Sequence, residues 1–271
     1  MKKLTSLLLI AMLALCVALG TTLTACETNT KTLIVYTEAG FAPWEFTANS
    51  STEVIGVDME IAKYIADKYG YKLKVINGNF DSIVAGIDEN NALGIAGISY
   101  TAERAEAVEY SDFYWGNADQ AVVYLKSSAP TLTEDELFAV SNFEGKKVVY
   151  QTGTTSQLTV SDNETEWKIS SKADFQQVIA ALEDMKTSSN EYLIVDSQVA
   201  AQLVANNPEC AYAAIENLEA EQYGIVAKKG NTDLIAKVNE ALKELLEKDD
   251  EGKNQIEKWF VQYSAIAPDE E

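Results

Sequence analysis

Arg104 carries the clearest chemistry in this chain. It closes the run Gly97-Ile98-Ser99-Tyr100-Thr101-Ala102-Glu103-Arg104; Leu93 to Ala96 just before it reads as a short buried strand, and Thr101 as the N-cap of a helix starting at Ala102. A guanidinium then falls in that helix's first turn, where unpaired N–H groups and the positive end of the dipole already gather. A cation fits there mainly when an anion arrives to be shared, and a carboxylate suits best. The competing reading pairs Arg104 with Glu103 or Glu106 on a solvated face. Asp196 is the opposite charge: it directly follows the strand Leu193 to Val195, so its carboxylate stands at that strand's carboxyl end. Taken alone, an Asp before Ser197 also reads as a helix N-cap.

What is missing narrows the chemistry further. Histidine is absent, which removes His-based acid–base catalysis, Ser-His-Asp and Cys-His nucleophiles, and His-ligated zinc or copper. No Asp-x-Asp-x-Asp-Gly loop appears for calcium, so neither metal nor cofactor is expected. With 42 acidic against 21 basic residues the net charge is −21, which argues against nucleic acid and against docking on an anionic lipid surface.

The beginning of the chain reads as an address. Lys2 and Lys3 precede an apolar run from Leu4 to Leu19, and Leu23-Thr24-Ala25-Cys26 follows, a pattern that looks like a bacterial lipoprotein signal with Cys26 as the lipidated residue. The alternatives are an ordinary secretory signal or a short membrane span, although the run is shorter than the about 20 residues a span needs. Cys16 is a poorer acceptor because bulky Leu15 precedes it. With Cys16 removed and Cys26 lipidated, Cys210 is left as a lone thiol and no intramolecular disulfide is expected.

Elements that position these groups alternate along the rest of the chain. Strands are expected at Thr32 to Thr37, Leu73 to Ile76, Gln120 to Tyr124, Lys147 to Tyr150, Leu193 to Val195 and Tyr223 to Ala227. Helices are expected at Asp58 to Tyr69, Asp81 to Ile87, Thr133 to Ala139 through a Thr133/Glu136 capping box, Ser171 to Met185, Ser197 to Ala205 and Thr232 to Glu247. Such alternation implies an α/β fold with mainly parallel sheets covered by helices. The expected division is a signal at 1–25, a tether at 26–31, a discontinuous first lobe of 32–123 plus 225–264, an inserted second lobe of 124–224, and an acidic tail at 265–271. Two crossing strands, near Val122 to Leu125 and Gln222 to Val226, form the hinge, with a ligand cleft between the lobes.

Over nearly the whole of the chain after Cys26 the sequence resembles the extracellular solute-binding proteins of polar amino acid ABC transporters, family 3 of the bacterial solute-binding proteins, with the type II periplasmic-binding-protein fold. The resemblance rests on Phe41-Ala42-Pro43-Trp44-Glu45-Phe46, Gly56-Val57-Asp58-Met59-Glu60-Ile61-Ala62, the Gly97 to Arg104 run, Gly145-Lys146-Lys147-Val148, Gly153-Thr154-Thr155, Val195-Asp196, and Tyr223-Gly224-Ile225-Val226 with Lys229-Gly230. It implies a lipid-anchored, extracytoplasmic, monomeric receptor that captures a polar or cationic amino acid and passes it to permease subunits, without catalysis. A cleft-based dehydratase using Asp196 or Glu38 as proton donor is the alternative.

The same resemblance implies the site. Arg104 would clamp the ligand's α-carboxylate, assisted by a backbone amide and a hydroxyl at Ser99 and Gly97 and, from the second lobe, by Thr154, which also reads as a helix N-cap. Asp196 would take the α-ammonium group. Phe41 and Phe80, otherwise core residues, would sandwich the ligand side chain, and Glu38 would recognise an amide, guanidinium or ammonium. The chain departs from the family pattern at Ala92, at Ala102 and at Gly40, a one-residue insertion beside Phe41.

Overall fold

The alternating Thr-Leu-Ile-Val-Tyr-Thr segment forms β1 (Thr32–Thr37), with every second side chain buried. The computed structural model describes residues 31–85 and 87–269. The expected signal, the lipidated Cys26 and all of the tether except Lys31 lie outside the described residues.

After β1 come a short hairpin of β2 (Gly40–Phe41) and β3 (Glu45–Phe46), then α1 (Val57–Lys68), β4 (Lys72–Asn77), α2 (Phe80–Ala85), β5 (Ala92–Gly94), α3 (Ala102–Ala107) and the long β6 (Val108–Ala118). The second lobe holds β7 (Gln120–Leu125), β8 (Lys147–Gln151), α4 (Thr155–Asn163), β9 (Ser171–Phe175), α5 (Val178–Thr187), β10 (Tyr192–Asp196), α6 (Ser197–Asn206) and β11 (Cys210–Ala214). The chain then returns through β12 (Glu221–Lys228) to α7 (Thr232–Leu245) and α8 (Gln255–Tyr263), which complete the first lobe.

The first sheet runs β4-β1-β5-β12-β6 and the second β11-β7-β10-β8-β9. Both are mixed rather than mainly parallel. β1 lies parallel to β4 and β5, but β12 runs antiparallel to β5 and β6. In the second sheet β8 lies parallel to β9 and β10, while β7 runs antiparallel to β10 and β11. The reversed strands are those that flank the two passages between lobes, because a chain that leaves a sheet and comes back enters it from the opposite end.

Those passages sit earlier than expected. Since β6 belongs to the first sheet and β7 entirely to the second, the outward crossing is at Asp119, not within Val122 to Leu125. The return lies between Ala214 and Glu221, not within Gln222 to Val226. The strand period marks strands but not which sheet receives them.

Two expected helices are replaced. Thr133 to Ala139 is a turn: Thr133 N–H bonds Leu137 O, Glu136 takes a left-handed φ of 61°, and Phe138 bridges Leu132 and Ile215. The Thr133 hydroxyl accepts Leu137 N–H, so the capping signature closes a turn instead of starting a helix. The first residues of Ser171 to Met185 form the edge strand β9 against β8, and only the later ones form α5.

The amphipathic α7 buries Leu234, Val238, Leu242 and Leu245, as its spacing requires. Cys210 is a buried free thiol on β11. The tail folds back on the first lobe, where the Asp269 carboxylate accepts Ser50 N–H at 2.9 and 3.1 Å.

Candidate functional site

Thr101 does cap α3: its hydroxyl accepts Arg104 N–H at 3.1 Å. From that first turn the Arg104 side chain folds back, with Nη1 donating to Ser99 O at 2.7 Å and Nη2 to Gly153 O at 2.8 Å. One carbonyl belongs to each lobe. The guanidinium also lies over the Phe80 ring, 5.4 Å from its centroid. Among the described residues Arg104 forms no ion pair with Glu103 or Glu106; its fork is bonded to two backbone carbonyls instead.

Arg104 is one wall of a cleft between the lobes. Phe41, Phe80, Gly97 and Ser99 line it from the first lobe, and Gln151, Thr154, Thr155, Ser156, Val195 and Asp196 from the second. Seven of the eight residues expected at the site therefore meet in one cavity. Glu38, the eighth, stands one layer behind, where its buried carboxylate accepts Gln151 Nε2 at 3.1 Å. Gly40 makes room for it: a Cβ at that position would lie 2.8 Å from Glu38 Oε1. Gly40 and the acid are thus one local arrangement.

Asp196 occupies the N-cap position of α6, yet its side chain caps nothing. Its Oδ1 accepts Gln120 Nε2 at 2.6 Å and its Oδ2 accepts the Tyr223 hydroxyl. Burial, reinforced by the nearby Glu221 charge, raises its carboxyl to about 7, while the bonds from Tyr223 and Gln120 and the Arg104 charge pull the other way.

Three expected contributions differ in detail. Gly97 N–H is committed to Asp58 Oδ2 at 2.9 Å, so the amide left at the cleft surface is that of Ser99. Gly97 must also lack a side chain, since φ is 52° and a Cβ would sit 2.9 Å from the Phe41 ring. The Thr154 hydroxyl caps α4 by accepting Gln157 N–H at 3.3 Å and donates to Gln151 O at 2.7 Å. What α4 can offer an anion is then its first-turn amides, behind the lining residues Thr155 and Ser156.

Beneath the floor lies a feature the sequence pattern did not reveal. Glu45 and Asp58 are fully buried with their carboxyl groups in contact. Among the described residues no N–H or hydroxyl reaches either Glu45 oxygen or Asp58 Oδ1, so that contact is a hydrogen bond only with a proton between the two acids. Asp58 Oδ2 meanwhile accepts both Gly97 N–H and the Tyr114 hydroxyl. Burial raises Asp58 to about 6 and, with the neighbouring acid, lifts Glu45 well above the usual carboxylate range, which makes Glu45 the proton carrier. The spacing Trp44-Glu45 and Gly56-Val57-Asp58 is the only trace of this pair in the sequence.

The profile of the bacterial extracellular solute-binding proteins, family 3, matches residues 33–262. The arginine-binding extracellular protein ArtP of Bacillus subtilis (strain 168) is 27% identical over 262 residues, covering 93% of this chain and 97% of its own. Among solved structures, the amino acid ABC transporter substrate-binding protein AbpA from Streptococcus pneumoniae Canada MDR_19A, bound to L-arginine, superposes with a TM-score of 0.77 at 25% identity, covering 88% of this chain and 96% of that one. A variant of ArgBP from T. maritima gives 0.73 at 31% identity, covering 85% and 95%.

Proposed function

Because the chain belongs to the bacterial extracellular solute-binding proteins, family 3, we propose that its cleft captures a free cationic amino acid and that the loaded protein delivers it to an ABC importer. Such proteins bind and hand over; they make and break no bond. The observation that carries the reading is a pair of opposite charges, Arg104 and Asp196, contributed by opposite lobes to one cavity. A zwitterion placed between them satisfies both, with its carboxylate on the guanidinium fork and the α4 amides and its ammonium on Asp196. Lobe closure then follows from contacts that the ligand makes only when both halves are present.

The third charge sets the side-chain class. Glu38 adds a second acid just behind the wall at the Gln151 end, so the one cation of the lining, Arg104, stands against one lining carboxylate and a second behind it. A ligand with one acid and two cationic groups balances that set, whereas a neutral amide side chain leaves one carboxylate uncompensated. The names of the arginine-binding relatives agree with this charge count. Lipidation of Cys26 would tether the protein to the outer face of the cell membrane. Phe41 and Phe80 offer ring faces to an aliphatic stem, although one face of Phe80 already carries Arg104.

A thermal-shift panel of the standard amino acids tests the reading. At a hundred times Kd the true ligand adds about 2.7 kcal/mol of stability. L-arginine or another cationic amino acid should give the largest shift; a panel won by an acidic or purely apolar residue overturns the assignment. The dehydratase alternative draws on Asp196, whose proton affinity near neutrality suits a general acid. Product formation from cyclic carboxylic acids would be its signature.

A further inference from the structure

We propose that Glu221 is a positioning residue for the ligand's ammonium group, holding the amide that orients Asp196 and making amine capture displace a proton from that site. This rests on the zwitterion reading above and adds to it a residue that does not line the cleft.

Glu221 is the first residue of β12, paired with Ala118 beside the outward crossing at Asp119. It belongs to the first sheet, yet two second-lobe groups hold its carboxylate: Gln120 Nε2 at 3.1 Å and the Thr155 hydroxyl at 2.7 Å. The same Gln120 nitrogen donates to Asp196 Oδ1 at 2.6 Å, while Gln120 Oε1 accepts the Ser156 hydroxyl at 2.7 Å. One amide therefore bridges two carboxylates with its NH₂ group. The orientation is fixed, because turning the amide over would set its oxygen against two acids. The charged and titratable groups facing Asp196 are Glu221 and Tyr223 on β12, Arg104 on α3, and Glu45 on β3.

Asp196 is buried, and the Glu221 carboxylate held on the same amide adds a like charge beside it, so Asp196 keeps its proton to a higher pH than an ordinary carboxyl. An ammonium arriving at Asp196 supplies the missing cation and expels that proton. Capture then strengthens as pH rises towards about 7 and levels off above it.

The test compares the whole chain with Glu221→Gln, which keeps the shape and an oxygen for Gln120 Nε2, removes the charge and leaves the Thr155 hydroxyl to turn and accept from the new NH₂, and with Glu221→Ala as a second neutral variant. Ligand-free carboxyl NMR should place the Asp196 titration near neutrality in the parent and at least one pH unit lower in either variant. Calorimetry with L-arginine should show Kd weakening about tenfold from pH 8 to pH 6 in the parent, with a proton released at pH 6, and changing less than threefold in Glu221→Gln. An Asp196 titration that stays put in both variants overturns the proposal, as does a parent affinity that is flat from pH 6 to pH 8. If L-arginine gives no heat while the NMR midpoint still moves, the Glu221 assignment stands and the ligand reading falls.

Discussion

Arg104 Nη2 donates to the Gly153 carbonyl oxygen at 2.8 Å, so the residue expected to clamp a ligand from the first lobe is also bonded directly to the second. Clamp and clasp are the same side chain. That dual use separates Arg104 from a cation that merely attracts, because the planar fork can hold a carbonyl on one edge while presenting its remaining donors to a carboxylate.

Replacing Arg104 should therefore abolish binding without unfolding the protein. Arg104→Lys keeps the charge but loses the fork, and a charge-assisted bond worth about 1.5–3 kcal/mol predicts roughly 10- to 150-fold weaker binding of L-arginine by calorimetry. Arg104→Ala should bind below detection while its unliganded melting temperature stays close to the parent's, since the side chain is only half-buried.

Asp196→Asn should also lose the ligand, but with the opposite effect on the unliganded fold. The native carboxyl is raised from 3.8 to about 7, so the folded state holds a proton that the unfolded chain has released over that interval. Stability consequently falls as pH rises from about 4 to about 7, and the full penalty remains above it. Denaturant titrations at pH 5 and pH 8 should show the parent losing stability across that span and Asp196→Asn losing less.

The Glu45–Asp58 pair predicts a second, ligand-independent dependence on pH. Both acids are raised, Asp58 to about 6, so their contribution also weakens as pH climbs from the ordinary carboxylate range through that value. Glu45→Gln supplies an N–H donor to Asp58 Oδ1 at every pH and should flatten the curve. Glu45→Leu leaves that oxygen without a donor and should cost about 1–3 kcal/mol at neutral pH, read from urea midpoints.

Gly153 predicts a steric effect on closure. A Cβ there would lie 2.8 Å from Asp81 Cβ and 2.9 Å from Asp81 Cα, across the lobes, on a residue with φ of 78°. Gly153→Ala should wedge the halves apart and weaken L-arginine binding by tenfold or more. Gly145→Ala is the control: its φ is 74°, but open space surrounds the added methyl, so it should lower stability by about 1–2 kcal/mol and leave Kd unchanged.

Arg104 and Asp196 were legible because each sits at a boundary that local pattern marks, a capped helix start and a strand end. Gln120, Glu221 and Tyr223 were not. Gln120 and Tyr223 reach Asp196, and Glu221 reaches it through Gln120, only because β7 and β12 flank the crossings; Gln120 lies 76 positions from Asp196 and 101 from Glu221, and no local spacing encodes that. The α/β alternation was readable, but the direction of strands was not: β12 looks like any apolar strand until its partners β5 and β6 are known. Ser171 to Phe175 misled for a related reason. An edge strand with exposed polar residues lacks the apolar run that marks a central one, and its neighbouring helix absorbs it. Glu45 and Asp58 escaped because sequence shows charge, not whether two acids will share a buried space.

Trp44 stands edge-on to Tyr223 at 5.1 Å and to Trp115 at 4.8 Å, and the Tyr223 phenol bonds Asp196 directly. An indole thus lies one aromatic ring away from the group assigned to the ligand amine, enclosed and shielded from solvent quenchers. Ligand capture at Asp196 should therefore change the ultraviolet emission of that indole, a shift that titration with L-arginine would read with no dye attached and that Trp44→Phe should remove.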